Sequence, residues 1–201
     1  MNFLQYVREI RGDKAERKFQ GRRNAGRIRA LREWIQPCGV GAEMGVHKGH
    51  FSRLLVDQLR PQKLYLIDSW WLTEGKEWGW GEGNRNVIDG LHNAMKTIEN
   101  ELVAGTVEVI IQSDLVALQS FPSNSLDWAY IDTSHRYDHT AAELEALKRV
   151  IKPNGIISGD DWREDPAHPH HGVCRAVREF VEREGYVLST YGPAAQWAIK
   201  R

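Results

Sequence analysis

Between residues 40 and 49 the apolar run Val40-Gly41-Ala42 passes into Glu43-Met44-Gly45-Val46-His47-Lys48-Gly49, a Glu-x-Gly-x-x-x-Gly pattern, and then directly into an amphipathic segment. A buried strand, a tight glycine turn and a helix, in that order, form the unit from which parallel sheets build a ligand pocket. Gly45 can adopt backbone angles closed to other residues and lets a ligand approach the main chain, while Gly49 lets the following helix sit close to the strand. Phe51, Leu54, Leu55, Gln58 and Leu59 recur at near-helical spacing and predict that helix with one buried face. Its free N-terminal amides would point at the ligand.

A dinucleotide fingerprint needs Gly-x-Gly-x-x-Gly, so that a pyrophosphate can lie on the helix N-terminus. Here Glu43 stands where the first glycine would fall. A carboxylate there repels phosphate and attracts a cation, so the ligand it suits carries an amino group or a sulfonium. Two more acidic positions follow. Lys63-Leu64-Tyr65-Leu66-Ile67-Asp68 reads as a short buried parallel strand with Asp68 at its carboxyl end, where a carboxylate can take both ribose hydroxyls, as it also does in NAD enzymes. Val107-Glu108-Val109-Ile110-Ile111 is the third strand, with Ser113 and Asp114 after it. Any one of these acids can be an ordinary helix cap; acids at three successive strand ends outline a pocket. With them the chain resembles the class I methyltransferases that use S-adenosylmethionine, in which the positions of Ser113 and Asp114 stand beside the adenine.

At 201 residues the chain suits one domain, and 41% hydrophobic with 27% charged residues is ordinary for a soluble globular protein. No stretch is apolar enough to span a membrane, and the segment from Met1 to Glu9 lacks the apolar core of a signal peptide, which points to the cytoplasm. Cys38 and Cys174 agree with a reducing compartment and read as small core residues. A formal net charge of zero provides no global field for nucleic acid or anionic lipid. Arg17, Lys18, Arg22, Arg23, Arg27, Arg29 and Arg32 crowd the N-terminal segment, and Ile28, Leu31, Trp34 and Ile35 supply the matching apolar face. The basic side chains therefore read as the solvated side of helices.

Helices over residues 3–20 and 24–35 precede strand and helix signals that alternate to the C-terminus, which predicts an α/β fold with a doubly wound, mostly parallel sheet covered on both faces. Leu126 to Ile131 makes a fourth strand and Gly155 to Ser158 a fifth. Between them a helix places Ala141, Leu144, Leu147 and Ile151 inward and closes at Lys152-Pro153-Asn154-Gly155. Residues 186–190 and 196–200 are strand-like and joined so briefly that they must be antiparallel, leaving one reversed strand at the C-terminus. Residues 1–36 form a helical extension that offers a surface for pairing with another subunit, and residues 37–201 form the one domain. From Ser69 to Asn86, Trp70, Trp71, Trp78 and Trp80 lie among Gly75, Gly79, Gly81 and Gly83. Such a segment at the open edge of a pocket is either a lid over a flat substrate or an insertion whose tryptophans pack on the core.

The fourth strand ends in Asp132-Thr133-Ser134-His135 and the fifth in Asp160-Asp161. Adjacent parallel strands put their carboxyl ends side by side, so Asp132, Asp160 and Asp161 converge. Three carboxylates in a small space repel one another unless a cation sits between them. Oxygen-only ligation selects a hard ion such as magnesium or calcium. The run Asp165-Pro166-Ala167-His168-Pro169-His170-His171 reads as a loop, either at the substrate edge or at the surface, and His47 reads as exposed.

An acid with His three places on, followed by an Asp-Asp pair at the next strand, resembles the metal-dependent O-methyltransferases. The branch in question includes the macrocin and mycinamicin sugar methyltransferases, with the catechol methyltransferases more distant; the match spans roughly residues 38–184. The resemblance implies that Glu43, Gly45, Gly49, Asp68, Ser113 and Asp114 bind S-adenosylmethionine. It implies that Asp132, Asp160 and Asp161 bind Mg2+, and that His135 takes a proton from a small-molecule hydroxyl beside Asp132. Methyl transfer from a sulfonium is a direct displacement, so the protein must chiefly align the acceptor and strip its proton. Three alternatives stay open: a metal-independent N- or O-methyltransferase, an NAD-dependent oxidoreductase, and a non-catalytic cofactor-binding protein. Glu43 and the reversed last strand count against the oxidoreductase. The chain lacks the extra N-terminal domain of some sugar methyltransferases, and its Trp-rich segment has no assigned counterpart there.

Overall fold

The computed structural model describes residues 23–70 and 85–201. The expected helix over 3–20, the basic residues Arg17, Lys18 and Arg22, and most of the Trp-rich segment lie outside the described residues. The first described helix, α1, covers residues 23–34. The chain then runs β1 (Val40–Met44), α2 (His50–Leu59), β2 (Lys63–Asp68), α3 (Arg85–Thr97), α4 (Glu99–Val103), β3 (Val107–Ile111), α5 (Asp114–Ser120), β4 (Leu126–Ile131), α6 (Tyr137–Val150), β5 (Ile151–Gly159), α7 (His171–Glu184), β6 (Val187–Tyr191) and β7 (Gln196–Lys200).

The strands form a seven-stranded sheet in the order β3-β2-β1-β4-β5-β7-β6. Pairing is parallel from β3 through β5, and β7 runs antiparallel to both β5 and β6. That is the expected fold class, and β7 is the one reversed strand. It enters the sheet between β5 and β6, which places its first residues beside the end of β5.

Alternation along the strands sorts side chains to two faces. Ala42, Met44, Ile67, Ala129, Ile131 and Ile157 pack with the apolar stripes of α5, α6 and α7. Leu64, Leu66, Trp128 and Tyr130 pack on the other face with Leu31 of α1 and Ile35 just after it, Phe51, Leu55 and Leu59 of α2, and Ala94 of α3. The central strands are buried on both faces, as parallel strands covered by helices must be. Strand order reverses between β1 and β4, and in open α/β sheets a ligand crevice opens at the carboxyl ends on either side of such a switch.

Three expectations change in detail. The face of α2 is turned slightly, burying Ser52 and Val56, with Leu54 and Gln58 at its margin. The fifth strand begins at Ile151 directly after α6, pairs with Leu126, and shifts register before Ile156 meets Trp128, so residues 152–155 bulge within the strand. Cys174 is a core residue, but Cys38 is exposed in a left-handed turn where a small polar-tolerant side chain can face water. Among the described residues no helix is long and apolar enough to cross a membrane.

Candidate functional site

On the β1–β2 side, the glycine turn is held from two directions. Gly45 has φ +83°, and a Cβ there would fall 2.0 Å from the carbonyl oxygen of Asp132, so this turn lies against the turn that follows β4. Gly49 has φ +72°, and a Cβ there would meet Ala94 Cα at 2.7 Å. Gly49 thus makes room for α3, not for the strand as expected. Asp68 accepts hydrogen bonds at Oδ2 from the amides of Val46 at 2.8 Å and His47 at 2.9 Å, and at Oδ1 from the amide of Trp70 at 3.0 Å. The Trp70 indole donates to the His47 carbonyl at 2.7 Å, while the His47 side chain is exposed as anticipated.

Glu43 ends inside this turn at 1% exposure, with Oε2 lacking a hydrogen-bond partner. Burial pushes its carboxyl up to about 8, against the opposing pull of the neighbouring Ser52 hydroxyl. A buried acid in that state takes a proton or a cation, in keeping with the sequence argument for a cationic ligand group.

The β4–β5 side gathers the expected acids. Ile131 pairs with Gly159, so Asp132 and the pair Asp160-Asp161 leave the sheet together, and their carboxylate oxygens lie within 4.8 Å of one another. His135, at φ 59°, turns Nε2 back to within 3.2 Å of Asp132 Oδ1 and 3.1 Å of Asp161 Oδ2. Burial tends to raise the Asp132 carboxyl, and the hydrogen bond from His135 with the charge of Arg27 outweighs it, holding the group below the ordinary carboxylate range.

A cation already stands among these acids. Arg27 of α1 is 5% exposed; its guanidinium donates to Asp132 Oδ2 at 2.9 Å, pairs with Asp160, and lies 4.6 Å above the Phe51 ring. Arg23, one turn earlier, also pairs with Asp160. The expectation that the N-terminal arginines are solvated therefore holds for Arg29 and Arg32 and fails for Arg27, because three converging carboxylates demand a counter-charge more strongly than one guanidinium demands water. From the reversed strand, the Gln196 amide donates to Asp160 Oδ1 at 2.6 Å and the Trp197 indole to the Asp160 carbonyl at 2.9 Å. Oxygen donors from three carboxylates fit a hard divalent ion; the place taken by Arg27 marks where positive charge is required.

His170 completes this side. The His-rich loop folds over the acids, its His170 ring stacked on His135 at 4.5 Å between centroids and Nδ1 3.2 Å from Asp161 Oδ2. Asp165, Pro166, Ala167 and Pro169 of the same loop are exposed.

Ser113 and Asp114 lie at the carboxyl end of β3, with Ser113 as the N-cap of α5. The Asp114 carboxylate does not face an open pocket. It accepts from the Leu115 amide at 2.8 Å and meets His139 Nε2 at 2.7 Å. Burial pushes it up, yet bonds from His139 and Glu143 take it down to about 2. Arg27, Gln196, His170, His139 and Glu143 are the neighbours that pattern reading did not supply.

A family model described as a methyltransferase domain matches residues 42–162. No curated protein is significantly similar to the chain in sequence. Among solved structures, an S-adenosylmethionine-dependent methyltransferase from Aquifex aeolicus shares 20% identity with a TM-score of 0.57, covering 85% of this chain and 86% of that one. A precorrin-6y C5,15-methyltransferase from Geobacter metallireducens gives 17% and 0.57, covering 83% and 71%. A Streptococcus mutans protein solved in complex with SAH gives 10% and 0.57, covering 87% and 93%. At these identities the structures bear on fold alone, whereas the family match spans more than half of the sequence and takes in Glu43, the glycine turn, Asp68 and the three converging acids. The chain belongs to the methyltransferase-domain family, a transferase of one-carbon units built on the class I S-adenosylmethionine-dependent fold.

Proposed function

We propose that this methyltransferase acts on a hydroxyl group of a small molecule, with S-adenosylmethionine as donor and a divalent ion, such as Mg2+, held by Asp132, Asp160 and Asp161. One observation carries the reading: the three carboxylates converge to within 4.8 Å at the ends of β4 and β5, with His135 Nε2 3.2 Å from Asp132 and 3.1 Å from Asp161, against the turn that Gly45 presses onto Asp132.

S-adenosylmethionine supplies an activated methyl on a sulfonium. On the cofactor side, Glu43 is placed to ionise beside a positive group and Asp68 to receive ribose hydroxyls, while Gly45 and Gly49 leave the turn open to close approach. Ser113 serves the adenine edge better than Asp114, whose carboxylate is engaged by His139. When bound, a divalent ion lowers the acceptor's pKa and orients it. His135 is placed to take the hydroxyl proton, and Asp132 to stabilise the imidazolium that results. The acceptor oxygen then forms its bond to the methyl carbon as the carbon–sulfur bond breaks, and the sulfonium becomes a neutral thioether. A small acceptor accords with a formal net charge of zero, which offers nucleic acid no electrostatic footing.

Arg27 favours a second reading, in which its guanidinium permanently supplies the charge and no metal takes part. Calorimetric titration separates the two. S-adenosylhomocysteine binds wild type in either case. A magnesium signal in the cofactor-bound form that disappears in Asp161→Ala and strengthens in Arg27→Gln supports the metal-assisted reading. Cofactor binding with no magnesium signal in any form establishes the metal-free one, and absence of cofactor binding sinks both.

A further inference from the structure

Asp114, His139 and Glu143 form a cluster that the proposed reaction does not use. Its three candidate ligand atoms lie within 4.8 Å of one another. His139 and Glu143 are four residues apart on α6 and therefore share a face, while Asp114 opens α5 across from them. His139 Nε2 is 2.7 Å from Asp114 Oδ2 and 3.7 Å from Glu143 Oε1. The Glu143 side chain is fully buried; Oε1 accepts from Thr133 Oγ1 at 2.8 Å, and Oε2 is buried with no hydrogen-bond partner.

Burial and the charge of Asp114 raise the Glu143 carboxyl, so without an ion it keeps a proton beside Asp114, and a divalent ion would take that proton's place. An orphaned, buried carboxylate oxygen is costly to leave that way. Arg27 and Arg23 are committed to Asp132 and Asp160.

We infer that Asp114, His139 and Glu143 are a second divalent-ion site, suited to zinc or a similar transition ion. One nitrogen and two carboxylate oxygens make a mixed donor set that favours such ions over magnesium. Ligands about 2.0–2.2 Å from a tetrahedral ion stand roughly 3.3–3.5 Å apart, between the two distances already present around His139 Nε2. Small movements close the set, and a water completes it on the side where His139 is exposed. The ion ties the first turn of α5, beside the adenine edge, to α6, and through the Thr133 hydroxyl to the turn that carries Asp132. Its role is structural and does not depend on the identity of the methyl acceptor or on a metal at the three acids.

The test is Co2+ titration of the chelator-treated protein, read by visible d–d absorption and stoichiometry, with Zn2+ as competitor. Wild type and Asp161→Asn show the bands. Glu143→Gln and His139→Gln each take up one equivalent fewer than wild type, bind any residual Co2+ at least tenfold more weakly, and keep the wild-type far-ultraviolet dichroism. Zn2+ raises the melting temperature of wild type and Asp161→Asn, and not that of the two cluster variants. Should Glu143→Gln fail to fold, His139→Gln, at a half-exposed position, decides alone. Uptake in the cluster variants equal to that of wild type, bands lost in Asp161→Asn, or no bands in any form would overturn the inference. The second of these places the ion at the three acids, and so leaves the metal-assisted reading standing while removing this one.

Discussion

On the β1–β2 side of the sheet, acids are neutralised within the two strands and the loops that follow them: Asp68 by the amides of Val46, His47 and Trp70, and Glu43 by a proton it holds up to about pH 8. On the β4–β5 side His135 lies three residues from Asp132, but further partners come from elsewhere in the chain, Arg27 lying 105 residues from Asp132 and Gln196 lying 36 from Asp160. The first side is a turn whose hydrogen bonds to Asp68 are all made by backbone amides. The second is a meeting point of α1, two strand ends, the His-rich loop and β7, and its charge balance depends on all of them.

The strongest test of that contrast is Asp160→Ala. It leaves the Arg27 guanidinium and the Gln196 amide buried without their shared acceptor, and costs about 3–5 kcal/mol in chemical denaturation. A loss below about 1 kcal/mol would show that Arg27 swings freely to solvent and that the two sides do not differ in this way.

Glu43→Gln probes the cofactor side. In the folded protein the Glu43 carboxyl sits near 8 instead of its ordinary 4.5, so folding favours the protonated form. The stability tied to that proton is complete below pH 4.5 and is lost as the pH climbs through 8. The amide removes the dependence, so wild type and variant match at pH 4. At pH 9 the variant is the more stable, by on the order of 5 kcal/mol. Parallel pH profiles would mean that Glu43 has a counter-charge after all.

Asp68→Asn is the mildest. The amide keeps an acceptor for the turn but gives up the charge assistance of bonds to backbone amides, a loss of about 1–2 kcal/mol with weaker S-adenosylhomocysteine binding in the same titration. An effect as large as that of Asp160→Ala would erase the distinction between the local and the long-range side.

The positions of the acids were legible because they follow from local pattern: an apolar strand, a glycine or polar turn, and an amphipathic helix put Glu43, Asp68, Asp132 and Asp160 at carboxyl ends before any tertiary contact is known. Their partners were not, since a buried and a solvated arginine look alike in a basic run. One signal was present. Arg27 falls four residues before Leu31 and eight before Ile35, which places it on the buried stripe of α1. The same periodicity sets Glu143 beside Thr140, Leu144 and Leu147 on the inward face of α6. Pro153 concealed the true start of β5, because a strand that bulges between Leu126 and Trp128 breaks the two-residue period on which strand reading depends.

Gln196 and Trp197 of β7 hold both the side chain and the backbone carbonyl of Asp160. During synthesis the glycine turn, Asp68 and the acids of β4 and β5 all emerge from the ribosome before those two residues do. The β1–β2 half can therefore settle on the nascent chain, but Asp160 gains its amide and indole donors only after β7 has slotted between β5 and β6. Assembly of the acidic corner is thereby timed to the arrival of the last strand.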